Sequence, residues 1–210
     1  MLLSYWLAIV GETKVRIEHS LITQPGVPLK KIRRVFSHPV ALNQSLNFFA
    51  AHPEFERVPF YDTAGSVKML MEDGPEDGAA IASAIAANIY GARVLKRGIE
   101  DDRQNFTRFF LLTRPGSRKA PPTAREWKTS LVFTTRNIPG ALFRSLSAFA
   151  LRDISLTKIE SRPLRGKPWE YLFYVDFLGH VDEERVSKAL GHLSELADFL
   201  RVLGSYPKGA

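Results

Sequence analysis

Thr129-Ser130-Leu131-Val132-Phe133-Thr134-Thr135-Arg136-Asn137-Ile138-Pro139-Gly140-Ala141-Leu142-Phe143 is the stretch on which the fold turns. Thr129–Thr135 is β-branched, apolar and hydroxylated, which suits a strand. Pro139-Gly140 then punctuates the chain. Beyond it Leu142, Leu146, Phe149 and Ala150 recur at three and four, the period of one helix face. The spacing predicts a helix from Pro139 to Ala150. Ile154–Ser161 alternates as a second strand, Arg162–Pro168 is a basic turn, and Tyr171–Phe177 alternates as a third strand. Asp182-Glu183-Glu184 puts acids at the positive end of a second helix, which runs to Ala197. Phe199–Tyr206 supplies a last strand. Strand–helix–strand–strand–helix–strand is the ferredoxin-like split βαβ order, an α+β domain.

Upstream the pattern changes. Thr13–Glu18 alternates as a half-buried strand within Leu7–Ile22, and Pro25–Pro28 is a turn cluster. Lys30–Val35 leads into a short strand ending at Phe36. Ser37-His38-Pro39 opens a helix over Val40–His52, with a cap-like residue before proline. Val58–Tyr61 reads as a strand, and Asp62-Thr63 caps a helix over Ala64–Glu72. Gly78–Tyr90 reads as a strand and a tightly packed helix, and Thr107–Thr113 as a buried strand. Alternating strands and helices over residues 1–114 argue for an α/β layer. Residues 115–128 hold three prolines, a glycine and four basic residues, the composition of a linker. The expected organisation is therefore 1–114, a linker 115–128, and a second domain 129–210.

Composition narrows the function classes. The chain has 210 residues, 45% of them apolar, enough for real cores. It has no cysteine, which removes disulfides, thiolate metal sites and a cysteine nucleophile together. The net charge is +7, spread thinly: 14 Lys/Arg against 12 Asp/Glu in residues 1–114, and 15 against 10 in residues 115–210. No run of Lys/Arg exceeds two, so a nucleic-acid partner is not expected. The apolar runs are too short for a membrane span. The opening Met1–Val10 lacks a basic leader and a cleavage site, so no targeting segment is read there. His19, His52, His180 and His192 are isolated and make no metal-ligand spacing, and neither metal nor cofactor is expected.

Two motifs in the second domain are specific: Asn137-Ile138-Pro139-Gly140-Ala141-Leu142-Phe143, and Lys158-Ile159-Glu160-Ser161-Arg162-Pro163. Glycine at a helix start lets backbone N–H groups approach a carboxylate. Leu142 and Phe143 offer apolar wall, and Glu160 or a turn carbonyl an acceptor for an ammonium. A free amino acid presents that combination of groups. The two motifs resemble the phenylalanine site of the ACT domain in prephenate and arogenate dehydratases. The resemblance extends upstream through Ser37–Gln44 (SHPVALNQ), Tyr61–Ser66 (YDTAGS), Ala79–Ser83 (AAIAS) and Asn105–Phe109 (NFTRF). The wording of Leu193–Pro207 is similar to the plant-type arogenate dehydratases.

The resemblance implies a two-lobed, periplasmic-binding-protein-like catalytic region followed by a ferredoxin-like (βαββαβ) ACT domain. It implies prephenate or arogenate as substrate, L-phenylalanine as effector, and a homo-oligomer, dimer or tetramer, through the ACT domain. Thr107 is the family's catalytic residue, a neutral donor to the departing hydroxyl. Arg108 either pairs with a substrate carboxylate or supports the fold through a buried ion pair. Ser37, Thr63 and Ser83 read as substrate contacts or helix caps, and His38 as a site residue or a satisfied histidine at a helix start. Phe109 reads as packing. The effector set is Asn137, Pro139, Gly140, Ala141, Leu142, Glu160, Ser161, Arg162 and Pro163. The resemblance further implies a preceding segment with a glycine-rich opening and a P-I-E-N-S motif, neither of which occurs here. Residues 1–114 then correspond to the second lobe and the strand returning to the first. The companion expectation is a non-catalytic, phenylalanine-binding homologue that associates with full-length subunits. Plant-type wording implies a plastid stroma, and otherwise the cytoplasm.

Overall fold

The computed structural model describes residues 5–114, 126–164, 166–167 and 169–209. The expected linker 115–128 lies mostly outside the described residues. In chain order the elements are β1 (Ala8–Arg16), β2 (Ser20–Thr23), a 3-10 turn (Leu29–Lys31), β3 (Arg34–Ser37), α1 (Pro39–Asn43), α2 (Leu46–Ala50) and β4 (Glu56–Pro59). Then come α3 (Thr63–Asp73), β5 (Gly78–Ala82), α4 (Ala84–Tyr90), β6 (Arg93–Arg97) and β7 (Phe106–Thr113). The rest is β8 (Trp127–Thr134), α5 (Ala141–Ala150), β9 (Leu156–Pro163), β10 (Tyr171–Leu178), α6 (Glu184–Leu196) and β11 (Phe199–Pro207). These elements fall into two compact units, Val15–Thr107 on the one hand and Met1–Lys14 with Arg108–Ala210 on the other.

The Val15–Thr107 unit is an α/β layer. Its sheet has the order β4-β3-β5-β2-β6, parallel across β4, β3 and β5 and antiparallel at β2. Side chains alternate across a strand. Leu21, Ala79 and Ile81 accordingly face one core with Ala41, Leu42, Phe48 and Phe49, while Ile22, Ala80 and Ala82 face another with Val67, Leu70, Ala86 and Ala87. Both faces of the central strands are covered, so β5 is buried at every position and its alanines let helices approach closely.

The expected helix Val40–His52 is two short helices, broken at Gln44-Ser45. Asp101 causes the break. Its two carboxylate oxygens accept the Leu46 and Asn47 backbone N–H groups at 2.8 and 2.9 Å, and its own N–H donates to the Gln44 carbonyl at 2.7 Å. A long-range cap of this kind starts a new helix where periodicity alone reads a continuous one.

The other unit carries the ferredoxin-like sheet, antiparallel in the order β11-β8-β10-β9. One face packs on α5 and α6 through Leu131, Phe133, Val175, Phe177, Phe149, Val186 and Leu193. The other face packs through Val132, Leu203 and Tyr206 against Ile9 of β1, with Phe110 of β7 alongside. That second layer was not expected: residues of β1 and β7 cover the sheet face away from the helices. Thr13–Arg16 is exposed throughout rather than half buried. In β7, expected as a buried strand, Phe109 and Leu111 are 51% and 59% exposed, because only alternate side chains such as Phe110 turn to the sheet. Phe149 is buried as expected on the core face of α5, but Ala150 is exposed and Ala148 is buried in its place.

Gly204 sits where β11 passes β1 so closely that an added Cβ would overlap the Ile9 carbonyl oxygen. Backbone cannot yield as a flexible side chain does. Gly204→Ala is therefore expected to lower stability by about 2–3 kcal/mol, read as a shifted urea midpoint of the whole chain.

Candidate functional site

The Val15–Thr107 unit holds a cavity of about 330 Å³. Its polar wall is made by His19, His38, Gln44, Asp62, Thr63, Asn105 and Thr107, with Ile17, Val40 and Ala41 as apolar wall. Strand ends and helix starts deliver these groups. His38 is the cap residue of α1, where its Nδ1 accepts the Val40 N–H at 3.2 Å. Asp62 caps α3 by accepting the Gly65 N–H at 2.7 Å, which turns Thr63 to the cavity as the first helical residue. The Asn105 carbonyl accepts the Ile17 N–H at 2.8 Å, holding the segment that leads to Thr107.

The structure thus brings together His38, Thr63 and Thr107 from the expected catalytic set. Ser37 is fully buried, and its hydroxyl donates to the Ile81 carbonyl at 2.6 Å, a bond that ties β3 to β5. Ser83 is exposed at the start of α4 and is not part of the cavity wall. Gln44, Asp62 and Asn105 stand inside the quoted motifs, yet motif matching did not single them out. His19, read as isolated, is corrected by the structure. It is 5% exposed, and its Nε2 lies 2.9 Å from Gln44 Oε1. No local signal marks it, since its partner is 25 residues away. No lysine or arginine is among the described wall residues, and Asp62 brings a carboxylate to the wall.

Arg108 belongs to the other unit, where it takes the second of its two expected roles. Its Nη1 lies 2.6 Å from Asp176 Oδ2 and 3.3 Å from Glu12 Oε2, and its guanidinium rests over the Phe110 ring. Lys128 Nζ donates to both Glu12 oxygens at 3.0 and 3.1 Å. Ser130 donates to Asp176 Oδ1 at 2.5 Å and lies 2.7 Å from the Tyr206 hydroxyl. Two carboxylates and two cations are enclosed together, so the charges balance. Burial pulls the Arg108 pKa down, but the hydrogen bond and charge of Asp176, together with the fields of Tyr206 and Glu12, outweigh it and leave it above the ordinary arginine value. Burial pushes the Tyr206 phenol well above its ordinary value.

The expected effector residues separate into two places. Asn137, Ala141 and Leu142 line a hollow of about 100 Å³ with Trp169, Tyr171 and Phe173. Pro139 and Gly140 are not among its lining residues but connect two that are, Ile138 and Ala141, with Gly140 at a φ of 76° that favours glycine. Ser161 faces Phe173 across the β9–β10 ladder and so shares that side of the sheet. Glu160 faces Tyr174, and Arg162 lies over the Tyr174 ring, which puts both on the opposite side. Pro163 ends the edge strand β9. Lys158 and Arg162 contact Glu160 at 2.5 and 2.6 Å and hold its carboxyl below the usual glutamate range, Lys158 first and Arg162 next.

A family model described as prephenate dehydratase matches residues 1–117, and one described as ACT domain matches residues 129–194. The chain is 46% identical over 216 residues to an Arabidopsis thaliana protein named arogenate dehydratase/prephenate dehydratase 2, chloroplastic; the match takes in 99% of this chain and 56% of that one. Among solved structures, the prephenate dehydratase of Arthrobacter aurescens in complex with L-Phe superposes with a TM-score of 0.86 at 36% identity, over 97% of this chain and 66% of that one. A protein described as GqqA, a novel type of quorum quenching acylase, gives 0.83 at 36% identity, over 96% and 72%. The chain spans about half the length of the curated relatives it matches.

Two outcomes follow from the charges. Arg108→Met leaves Lys128 on Glu12 and no cation in contact with Asp176, and is expected to cost about 3–5 kcal/mol in chemical denaturation. A carbon-13 titration of the Glu160 carboxyl is expected to give a midpoint below the ordinary glutamate value, raised by Lys158→Met. The contribution of that cluster is present above the unfolded glutamate pKa and is lost as pH falls through the depressed folded one.

Proposed function

The chain belongs to the prephenate dehydratase family, and we propose that it acts in the decarboxylating dehydration of arogenate or prephenate, under control of L-phenylalanine through its ACT domain. The observation that carries this reading is the convergence of Thr107, His38, Thr63 and Gln44 on one cavity of about 330 Å³. In this reaction a ring carboxylate leaves as carbon dioxide, its electron pair completes the aromatic ring, and the opposite hydroxyl departs and takes up a proton to become water. Aromatisation supplies the driving force. The protein's part is to hold the substrate, stabilise the departing oxygen and exclude water. Thr107 donates a hydrogen bond to that oxygen. Its hydroxyl is too weak an acid to surrender a proton freely, so it lowers the barrier by stabilising developing charge.

Gln44, Asn105 and Thr63 supply further neutral donors for the substrate's carboxylate and hydroxyl oxygens. The hollow beside Pro139-Gly140, with Leu142 and Phe173 as apolar wall, suits an amino acid with a large apolar side chain. Arogenate or prephenate as substrate, phenylalanine as effector, a homodimer or tetramer assembled through the ACT domain, and a plastid setting all belong to this reading. The names of the curated relatives support it over the non-catalytic alternative, and several of those relatives are chloroplastic. Among the described residues no helix is long and apolar enough to cross a membrane.

The test is turnover by the purified chain with prephenate and with arogenate, following phenylpyruvate and phenylalanine. Thr107→Ala is expected to lower kcat by about 100-fold or more, and activity no higher in the parent than in that variant overturns the reading. Calorimetric titration with L-phenylalanine is expected to saturate below millimolar concentration and to be abolished by Gly140→Val.

A further inference from the structure

His19 touches the cavity wall but lies outside every motif that carries the family resemblance, and the chemistry above leaves it without a role. Its surroundings give it one. Its backbone is held on both sides by one short segment: its N–H donates to Glu100 Oε2 at 2.9 Å, and its carbonyl accepts the Ile99 N–H at 3.1 Å. Glu100 is itself 7% exposed, with Arg16 3.6 Å from its other oxygen. The next residue of the same segment, Asp101, donates its N–H to the Gln44 carbonyl at 2.7 Å. Three consecutive residues therefore set the distance between the backbones of His19 and Gln44. Their side chains meet as a result, Nε2 to Oε1, at 2.9 Å.

We propose that His19 is a positioning residue, which donates from Nε2–H to Gln44 Oε1 and thereby presents the Gln44 NH₂ group to the cavity. A neutral imidazole carries one donor and one acceptor, and a carboxamide has a donor end and an acceptor end. The two ends of Gln44 are alike in size and opposite in polarity, so packing alone does not choose between them. Hydrogen bonding does. With the proton on Nε2, the ring takes the carbonyl end, and two N–H donors remain, which have no protein partner among the described residues. With the proton on Nδ1, Nε2 becomes an acceptor, draws the NH₂ end to itself and turns a carbonyl toward the cavity. A carbonyl there repels the carboxylate and hydroxyl oxygens of a cyclohexadienyl substrate, whereas an NH₂ group binds them. This inference rests on the dehydratase reading for what the amide meets, and on the chain's own geometry for how the amide is set.

Two measurements on the full chain test it. Long-range proton–nitrogen correlation spectra of the ¹⁵N-labelled protein report the tautomer of each imidazole, with His19 assigned by its loss in His19→Gln. The expected result is Nε2-protonated His19 with a proton slow to exchange. An Nδ1-protonated ring overturns the proposal whether or not the chain turns over substrate. In the kinetic arm, His19→Leu is expected to lower kcat/KM by about 100-fold, and His19→Gln, whose amide N–H reaches the Nε2 position, to recover most of it. Two melting midpoints matched to each other show that both variants fold. His19→Leu placed on Gln44→Leu is expected to add no further loss. Equal losses in the two folded His19 variants overturn the positioning role. A parent chain without turnover counts against the dehydratase reading, and the tautomer then decides the inference by itself.

Discussion

The guanidinium of Arg108 lies within ion-pairing distance of Asp176 and Glu12, in a place where little water reaches either carboxylate. Much of the second unit depends on that contact. Glu12 comes from β1, Asp176 from the middle of β10, Lys128 from the start of β8 and Arg108 from β7, so four segments distant in sequence are fastened at one point. A carboxylate left alone there is costly, and two are costlier. The cations are what allow the polar middle of the sheet, Ser130, Asp176 and Tyr206, to be covered by Ile9 and Phe110 instead of by water. Thr107 is one peptide bond before Arg108.

The α/β unit has a comparable organising segment in Ile99–Asp101. Two of its hydrogen bonds are backbone to backbone and three are backbone N–H groups donating to the carboxylates of Glu100 and Asp101, and together they fix His19, Gln44 and the start of α2. Such bonds are individually modest. Their effect here is geometric, because they set where two side chains can meet and where one helix must stop. The break at Gln44-Ser45 is part of the site: a helix continuous from Val40 to His52 would carry Gln44 without the kink at which Asp101 holds its carbonyl.

How much was legible varied with the range of the interaction. The βαββαβ order from Thr129 to Tyr206 could be read because each element carries its own period and its own punctuation, although Trp127 and Lys128, expected in the linker, already belong to β8. Asp62 before Thr63 reads as a cap because the Gly65 N–H it accepts is three residues away. Gly78–Tyr90 reads as strand and helix from its alanines and the Ser83 boundary. The single helix expected over Val40–His52 failed because its terminator lies 55 residues downstream. The buried strand expected over Thr107–Thr113 failed on one of its faces because composition does not say which face a partner covers. Ser37 was a candidate by motif, and its burial against Ile81 gives it a bond within the sheet instead.

By itself, then, the sequence determined the family, the βαββαβ order of the second domain and the motifs, all of which are matters of local pattern and chemical type. The tertiary structure alone decided the second layer over the ACT sheet, the enclosure of Arg108 between two carboxylates, the separation of Ser161 from Glu160 and Arg162 onto opposite faces, and the pairing of His19 with Gln44. Each of these depends on residues that are far apart along the chain or on which side of a strand faces a neighbour. Register and packing set those relations, and a single side-chain period in the sequence leaves them open.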